Sequence, residues 1–164
     1  ASLRTASSRA LDLVSRLRGV NALLLETTEP SRYATLFVGE YESASRRLQY
    51  VNCGHNPPLV VRAGGAVERL LPTAMVVGLV EDWSCATAQT VLCPGDLLVL
   101  YSDGLSEAAN GGGDEFGEAR LAEAARLHRE RPLEELLDEV FAAVRRFSGG
   151  EQADDQTLVV ARVS

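Results

Sequence analysis

Leu97-Leu98-Val99-Leu100-Tyr101-Ser102-Asp103-Gly104 is an apolar run that ends abruptly on an acidic turn. Five consecutive apolar residues without polar alternation suit a strand covered on both faces, so this segment is expected deep in the fold. Pro94-Gly95-Asp96 stands just before it, and the turn chemistry there predicts a hairpin between residues 87–92 and 97–101. A second acidic pair, Asp154-Asp155, precedes residues 156–163, a run of Thr, Leu and Val expected to insert as a strand near the centre of a sheet. Two acidic turns thus each sit at one end of an apolar strand.

Outward from these strands the same pattern of short β segments continues. Residues 33–41 alternate with a period of two, 43–46 can turn the chain, and 48–51 give the return strand of a hairpin. Asn52-Cys53-Gly54-His55-Asn56-Pro57-Pro58 is rich in turn formers and is expected to be a structured loop. Residues 59–62 and 66–71, separated by Gly64-Gly65, predict a second hairpin. At the amino end, Leu3, Ala6, Ala10, Leu13, Val14 and Leu17 recur at helical spacing. Gly19 fits a helix stop, and residues 20–27 then form a second short helix or the same one resumed. Beyond the first acidic turn come a flexible glycine-rich loop at 110–113, helical patterns over 119–128 and 132–146, and a return loop at 147–153. Helices, antiparallel strands, two helices and a last strand give an α+β layered fold.

Composition narrows the function. The chain has 164 residues and a formal net charge of −7, and its basic residues are scattered, which argues against nucleic acid as a partner. No stretch reaches the roughly 18 apolar residues needed to span a bilayer and no signal-peptide pattern is visible, so no membrane contact and a cytoplasmic location are expected. Cys53, Cys85 and Cys93 lack CxxC spacing, which speaks against a disulfide framework or a zinc site, and all three are expected to be small buried residues.

Carboxylates held at strand ends can converge on hard divalent cations such as magnesium or manganese, which prefer oxygen ligands. Asp-Gly is also a common turn pair, and paired aspartates before a strand can simply cap a loop. The residues alone leave both readings open, and His55 is likewise open between turn stabiliser and ligand.

Five segments occur in order: Tyr33-Ala34-Thr35-Leu36-Phe37-Val38-Gly39, Tyr50-Val51-Asn52-Cys53-Gly54-His55-Asn56-Pro57-Pro58-Leu59, Pro94-Gly95-Asp96, Tyr101-Ser102-Asp103-Gly104-Leu105-Ser106-Glu107 and Asp154-Asp155-Gln156-Thr157. Together, over about residues 31–163, they resemble the bacterial branch of the protein phosphatase 2C-like (PPM) family, the phosphatases similar to sporulation stage II protein E and to regulators of stress sigma factors. The resemblance implies an αββα sandwich of two antiparallel sheets flanked by helices, one domain over 1–164 with a helical pair at 1–28. It implies two Mn2+ or Mg2+ ions and a metal-bridged water that attacks phosphoserine or phosphothreonine directly, with no catalytic residue beyond the metal ligands. Carried over by motif, Asp103 coordinates one ion, Asp154 the same or the neighbouring one, and Gly104 shapes the turn. Asp155 stands behind the ligand position, and Glu107 is a further metal-holding candidate. His55 occupies a place where relatives outside this branch carry an aspartate, and it is assigned to the structural loop.

The implied partner is a phosphorylated protein of the anti-anti-sigma kind, and a sensor domain is expected upstream in the same chain. The family's early aspartate and its later Gly-Asp motif have no counterpart before Ala1. The expectation is therefore a domain lacking its first strands, a poor catalyst by itself, with open edges that favour self-association. The alternative is a degenerate phosphatase-like module that binds a partner or senses a signal without turnover.

Overall fold

The computed structural model describes residues 12–29, 32–150 and 152–164. These residues form two compact units, one built from the chain up to His55 together with Leu71–Leu92, the other from Asn56–Leu70 and Cys93–Ser164.

The first unit holds helix α1 (Leu13–Thr27) and a three-stranded antiparallel sheet in the order β1 (Leu36–Glu42), β2 (Arg47–Cys53), β5 (Ala88–Val91). Asp12 caps α1, its carboxylate accepting from the Ser15 amide at 2.9 Å. The helix then runs unbroken through Gly19, because its buried residues Leu13, Leu17, Val20 and Asn21 keep one face against the core. The stop expected at Gly19 is therefore corrected. The actual end is set by Thr27 and Thr28, whose hydroxyls donate to the carbonyls of Leu23 and Leu24. The predicted helical start at residues 2–11 lies outside the described residues. Leu13, Leu17, Val51, Cys53, Val77 and Trp83 form the core of this unit. Asn21, 3% exposed, ties α1 to the loop after it: its Oδ1 accepts from the Gly78 amide at 2.8 Å and its Nδ2 donates to the Val80 carbonyl at 3.0 Å.

The β1–β2 hairpin pairs Leu36 with Cys53 through Glu42 with Arg47, as the alternation predicts. Asn52 and Cys53, expected in a loop, instead complete β2, since they still pair across the ladder. Strand β5 also departs from expectation. It pairs with β2, from Arg47↔Val91 to Tyr50↔Ala88, and makes no hairpin with residues 97–101. The turn between them explains this: Asp96 N donates to the Cys93 carbonyl with Gly95 at φ 86°, and the chain passes from one sheet into the other.

The second unit is a four-stranded antiparallel sheet in the order β4 (Val67–Arg69), β3 (Leu59–Val61), β6 (Leu97–Tyr101), β7 (Leu158–Arg162), with helices α2 (Asp103–Ser106), α3 (Gly117–Leu127) and α4 (Leu133–Ser148). Strand β6 lies between β3 and β7; Leu97, Val99 and Tyr101 on one face are buried, whereas Leu98 and Leu100 on the other, expected to be covered as well, are half-buried. The final strand does not sit centrally. Among the described residues β7 pairs only with β6 and is an edge strand, its Val159 54% exposed; a run of Thr, Leu and Val signals a strand without saying which place in the sheet it takes. Leu121 and Ala125 of α3 and Leu136, Val140 and Val144 of α4 pack with β3 and β6 into one core. Helix α4 runs two residues further than its sequence pattern, to Ser148. Residues 110–113 are expected to be flexible, yet Asn110 Oδ1 accepts from the amides of Gly112 and Asp114 and gives the loop a defined turn. Of the cysteines, Cys53 is buried, Cys85 is half-buried and Cys93 is exposed, the last because it sits at the start of the turn. Burial, reinforced by Cys85, pushes the Cys53 thiol up to about 11. No helix among the described residues is long and apolar enough to cross a membrane.

Asp96 is the polar anchor of this unit. It is 2% exposed, and its carboxylate accepts from the amides of Cys93 and Ala63, each at 2.9 Å, and from Arg62 Nη1 at 2.7 Å. Its own carbonyl accepts from Val163 N at 3.0 Å, so the same turn also holds the end of β7. Burial alone would raise its pKa, but the two amides and the guanidinium outweigh burial and hold the carboxyl below its ordinary value.

Two stability predictions follow from these contacts. Because Asp96 has a lower pKa folded than unfolded, its contribution is complete above the unfolded value of about 4 and is lost as pH falls through the folded one. Asp96→Asn is expected to cost about 2 kcal/mol at neutral pH and to flatten the acid limb of a plot of urea midpoint against pH; an equally steep limb would show that other carboxylates set it. Asn21→Ala, which strands the Gly78 amide and the Val80 carbonyl, is expected to lower urea stability by about 2 kcal/mol.

Candidate metal-binding site

Antiparallel pairing of β6 with β7 matches Tyr101 with Leu158, so the turn leaving β6 and the turn entering β7 are neighbours. Three hydrogen bonds lock them together. Ser102 N donates to the Thr157 carbonyl at 3.0 Å, Thr157 N donates to Ser102 Oγ at 2.9 Å, and Ser102 Oγ donates to the Asp155 carbonyl at 2.9 Å. A fourth runs from Gln156 Nε2 to the Gly104 carbonyl at 3.2 Å. Asp103 and Asp154, read from the sequence as ligand positions, are thereby carried on two turns fixed to each other.

Gly104 is required by this contact. A Cβ built at its position would lie 2.4 Å from the Asp155 carbonyl oxygen, a distance no side chain tolerates. The glycine is buried inside α2 and lets the backbone of the second acidic turn press directly onto the first.

The carboxylates themselves remain at the surface. Among the described residues Asp103 Oδ1 accepts from the adjoining Gly104 amide at 3.0 Å, and Asp154 Oδ1 from the adjoining Asp155 amide at 2.7 Å. The second oxygen of each takes no hydrogen bond from the described residues. Asp155 is exposed on the same turn and contributes its carbonyl to the stitch. Glu107 follows α2 by one residue, exposed, its amide donating to the Asp103 carbonyl at 2.8 Å. The donor chemistry is all oxygen and suits a hard divalent cation. The donor number is smaller: among the described residues no group of three or more His, Cys, Asp or Glu side chains is placed to hold an ion.

His55 lies in the other compact unit. Its amide donates to Asn52 Oδ1 at 2.9 Å and its Nδ1 is 3.4 Å from Thr35 Oγ1, contacts of a loop-forming residue. Sequence reasoning did not single out Ser102, Gln156 or Thr157, although all three stand inside the motifs that flank the aspartates; a hydroxyl beside each acidic turn was the available signal.

Comparison with known proteins follows the same lines. The family described as Stage II sporulation protein E (SpoIIE) matches residues 1–164. Protein IcfG of Synechocystis sp. is 28% identical over 135 residues, which cover 82% of this chain and 21% of that protein. Phosphoserine phosphatase RsbU of Bacillus subtilis is 22% identical over 147 residues, covering 89% of this chain and 44% of RsbU. The crystal structure of the RsbU and RsbW domains of Rv1364c from Mycobacterium tuberculosis superposes with a TM-score of 0.80 at 28% identity, covering 97% of this chain and 44% of that one. The chain therefore spans less than half the length of each of these proteins. With a match over residues 1–164, the chain belongs to the family described as Stage II sporulation protein E (SpoIIE), and its two antiparallel sheets with helices have the protein phosphatase 2C fold.

Proposed function

We propose that this chain carries part of the active site of a metal-dependent serine/threonine protein phosphatase that hydrolyses phosphoserine or phosphothreonine on a signalling partner of the anti-anti-sigma kind. The observation that carries the reading is the locked pair of acidic turns, which presents Asp103 and Asp154 with one carboxylate oxygen each not hydrogen-bonded by the described residues. The name of the relative RsbU, a phosphoserine phosphatase, supports the substrate class.

Manganese or magnesium, two ions in a complete site, would supply charge neutralisation for the phosphoryl oxygens and a more acidic water. Asp103 and Asp154 would hold these ions through their open oxygens. Gly104 keeps the two turns in contact, and Ser102 with Thr157 fixes their spacing. Asp155 and Glu107, exposed on the same two turns, are the nearest further carboxylates in sequence for a water or an ion. Ions of octahedral preference need more donors than two aspartates provide, so the reading calls for additional ligands from outside the described residues. That same shortage favours the second reading, a phosphatase-like module that engages its partner without turnover.

Calorimetric titration of the natural protein with manganese is expected to show saturable binding that weakens about tenfold or more in Asp103→Asn and in Asp154→Asn. Hydrolysis of a phosphoseryl peptide should vanish with chelator and return with manganese. Turnover that survives chelation would overturn the metal mechanism, and binding without turnover would support the second reading. Gly104→Ala is expected to destabilise the fold by about 1–3 kcal/mol and to reduce manganese affinity, because the Asp155 backbone must retreat; unchanged affinity would show that the contact does not position the ligands.

A further inference from the structure

Gln156 stands between Asp155 and Thr157, the two residues of the second acidic turn whose backbone bonds to Ser102, and its half-buried side chain crosses to the first acidic turn. There Nε2 donates to the Gly104 carbonyl at 3.2 Å. That carbonyl is one the helix does not serve by itself. Helix α2 has four residues, Asp103–Ser106, and the last four carbonyls of any helix lack an amide partner within it. The Asp103 carbonyl is taken by the Glu107 amide at 2.8 Å, and the Gly104 carbonyl by Gln156.

Gly104 also meets the candidate ligand. Its amide donates to Asp103 Oδ1 at 3.0 Å, so one residue gives its N–H to the carboxylate and its carbonyl to Gln156. Between those two groups lie only the φ and ψ of a glycine, the residue with the widest backbone freedom. Gly104 has to be glycine because the Asp155 carbonyl occupies the place of a Cβ. The restraint that a side chain would give the backbone is thereby lost, and Gln156 supplies it from the other strand. One turn of helix does not hold such a residue in place, because forming a single turn is unfavourable by itself. Leu105, 0% exposed, anchors α2 in the core, but apolar burial is non-directional and leaves the rotation of the turn open. On the amino side of Asp103 the direction is set by the bonds between Ser102 and Thr157; on the carboxyl side, among the described residues, it is set by Gln156.

We propose that Gln156 is a positioning residue of the metal site: acting through Gly104, it holds the Asp103 carboxylate within the narrow range of directions that magnesium accepts. The assignment rests on the metal-dependent reading above. Magnesium is small and demands near-ideal octahedral geometry, whereas calcium takes oxygen ligands in flexible arrangements. Loosening the carboxylate therefore penalises magnesium more than calcium, a difference that a general loss of stability would not produce.

Calorimetric titrations of the metal-free natural protein with magnesium alone and with calcium alone test this. In Gln156→Met, which keeps the length of the side chain and removes the donor, magnesium is expected to bind about tenfold more weakly while calcium changes by less, so the ratio of the two affinities shifts toward calcium. Gln156→Asn, which draws the carboxamide back by one methylene, should shift the ratio in the same direction. Urea midpoints of the metal-free variants are expected to stay near that of the unsubstituted protein. Equal weakening of both ions, or an unchanged ratio in the two variants, would overturn the proposal while leaving the metal reading intact. Absence of saturable binding by the unsubstituted protein would overturn the metal reading and this proposal with it.

Discussion

The antiparallel pairing of β6 with β7 is the constraint on which the rest of the second unit depends. It places Tyr101 opposite Leu158, and the turns beyond those residues have nowhere to go but against each other. Ser102 and Thr157 convert that adjacency into a fixed spacing, and Gly104 leaves out a Cβ that would clash with the Asp155 carbonyl. At the opposite end of the pair, the Pro94-Gly95-Asp96 turn bonds to Val163 in both directions. The two strands are thus fastened at both ends, and the helices α3 and α4 cover the sheet with a continuous apolar core.

Three aspartates on these strands show how environment divides one residue type into different tasks. Asp96 is enclosed by two amides and a guanidinium, and every one of its contacts is internal. Its ionised state is consumed in holding the loop at Ala63 and the turn at Cys93 in place. Asp103 and Asp154 each accept from a single adjoining amide, which orients the carboxylate without satisfying it. A carboxylate positioned but not saturated is what binding a cation demands, since the ion must find lone pairs that are not already engaged.

Much of this was legible in the sequence, for physical reasons that can be named. The unbroken apolar run at Leu97–Tyr101 identified an interior strand, because residues on both faces of such a strand are withdrawn at least partly from water. The amphipathic spacing over Leu133–Ser148 and the alternation through Leu36–Glu42 gave their elements directly. Pairing was less legible. Residues 88–91 and 97–101 flank a good turn sequence, yet they belong to different sheets, since turn chemistry specifies a bend and not the partner beyond it. The edge position of β7 was likewise invisible, because Leu158–Arg162 would read the same in either place. Gly19 misled for a related reason: an apolar face against a core outweighs the intrinsic cost of one glycine. The positions of Asp103 and Asp154 were accessible through their motifs, whereas the contact of Gly104 with the Asp155 backbone depends on the pairing of β6 with β7, which no local pattern encodes.

The stitch between Ser102 and Asp155 joins residues 53 apart in the chain. The described residues between them are helices and loops with one isolated bridge between Ala109 and Glu115, and the contacts of α3 with α4 are local in sequence. A compact helical hairpin between the two strands shortens the effective loop that their pairing must close, which lowers its entropic cost. Closing that loop is what brings the two acidic turns, and with them like charges, side by side.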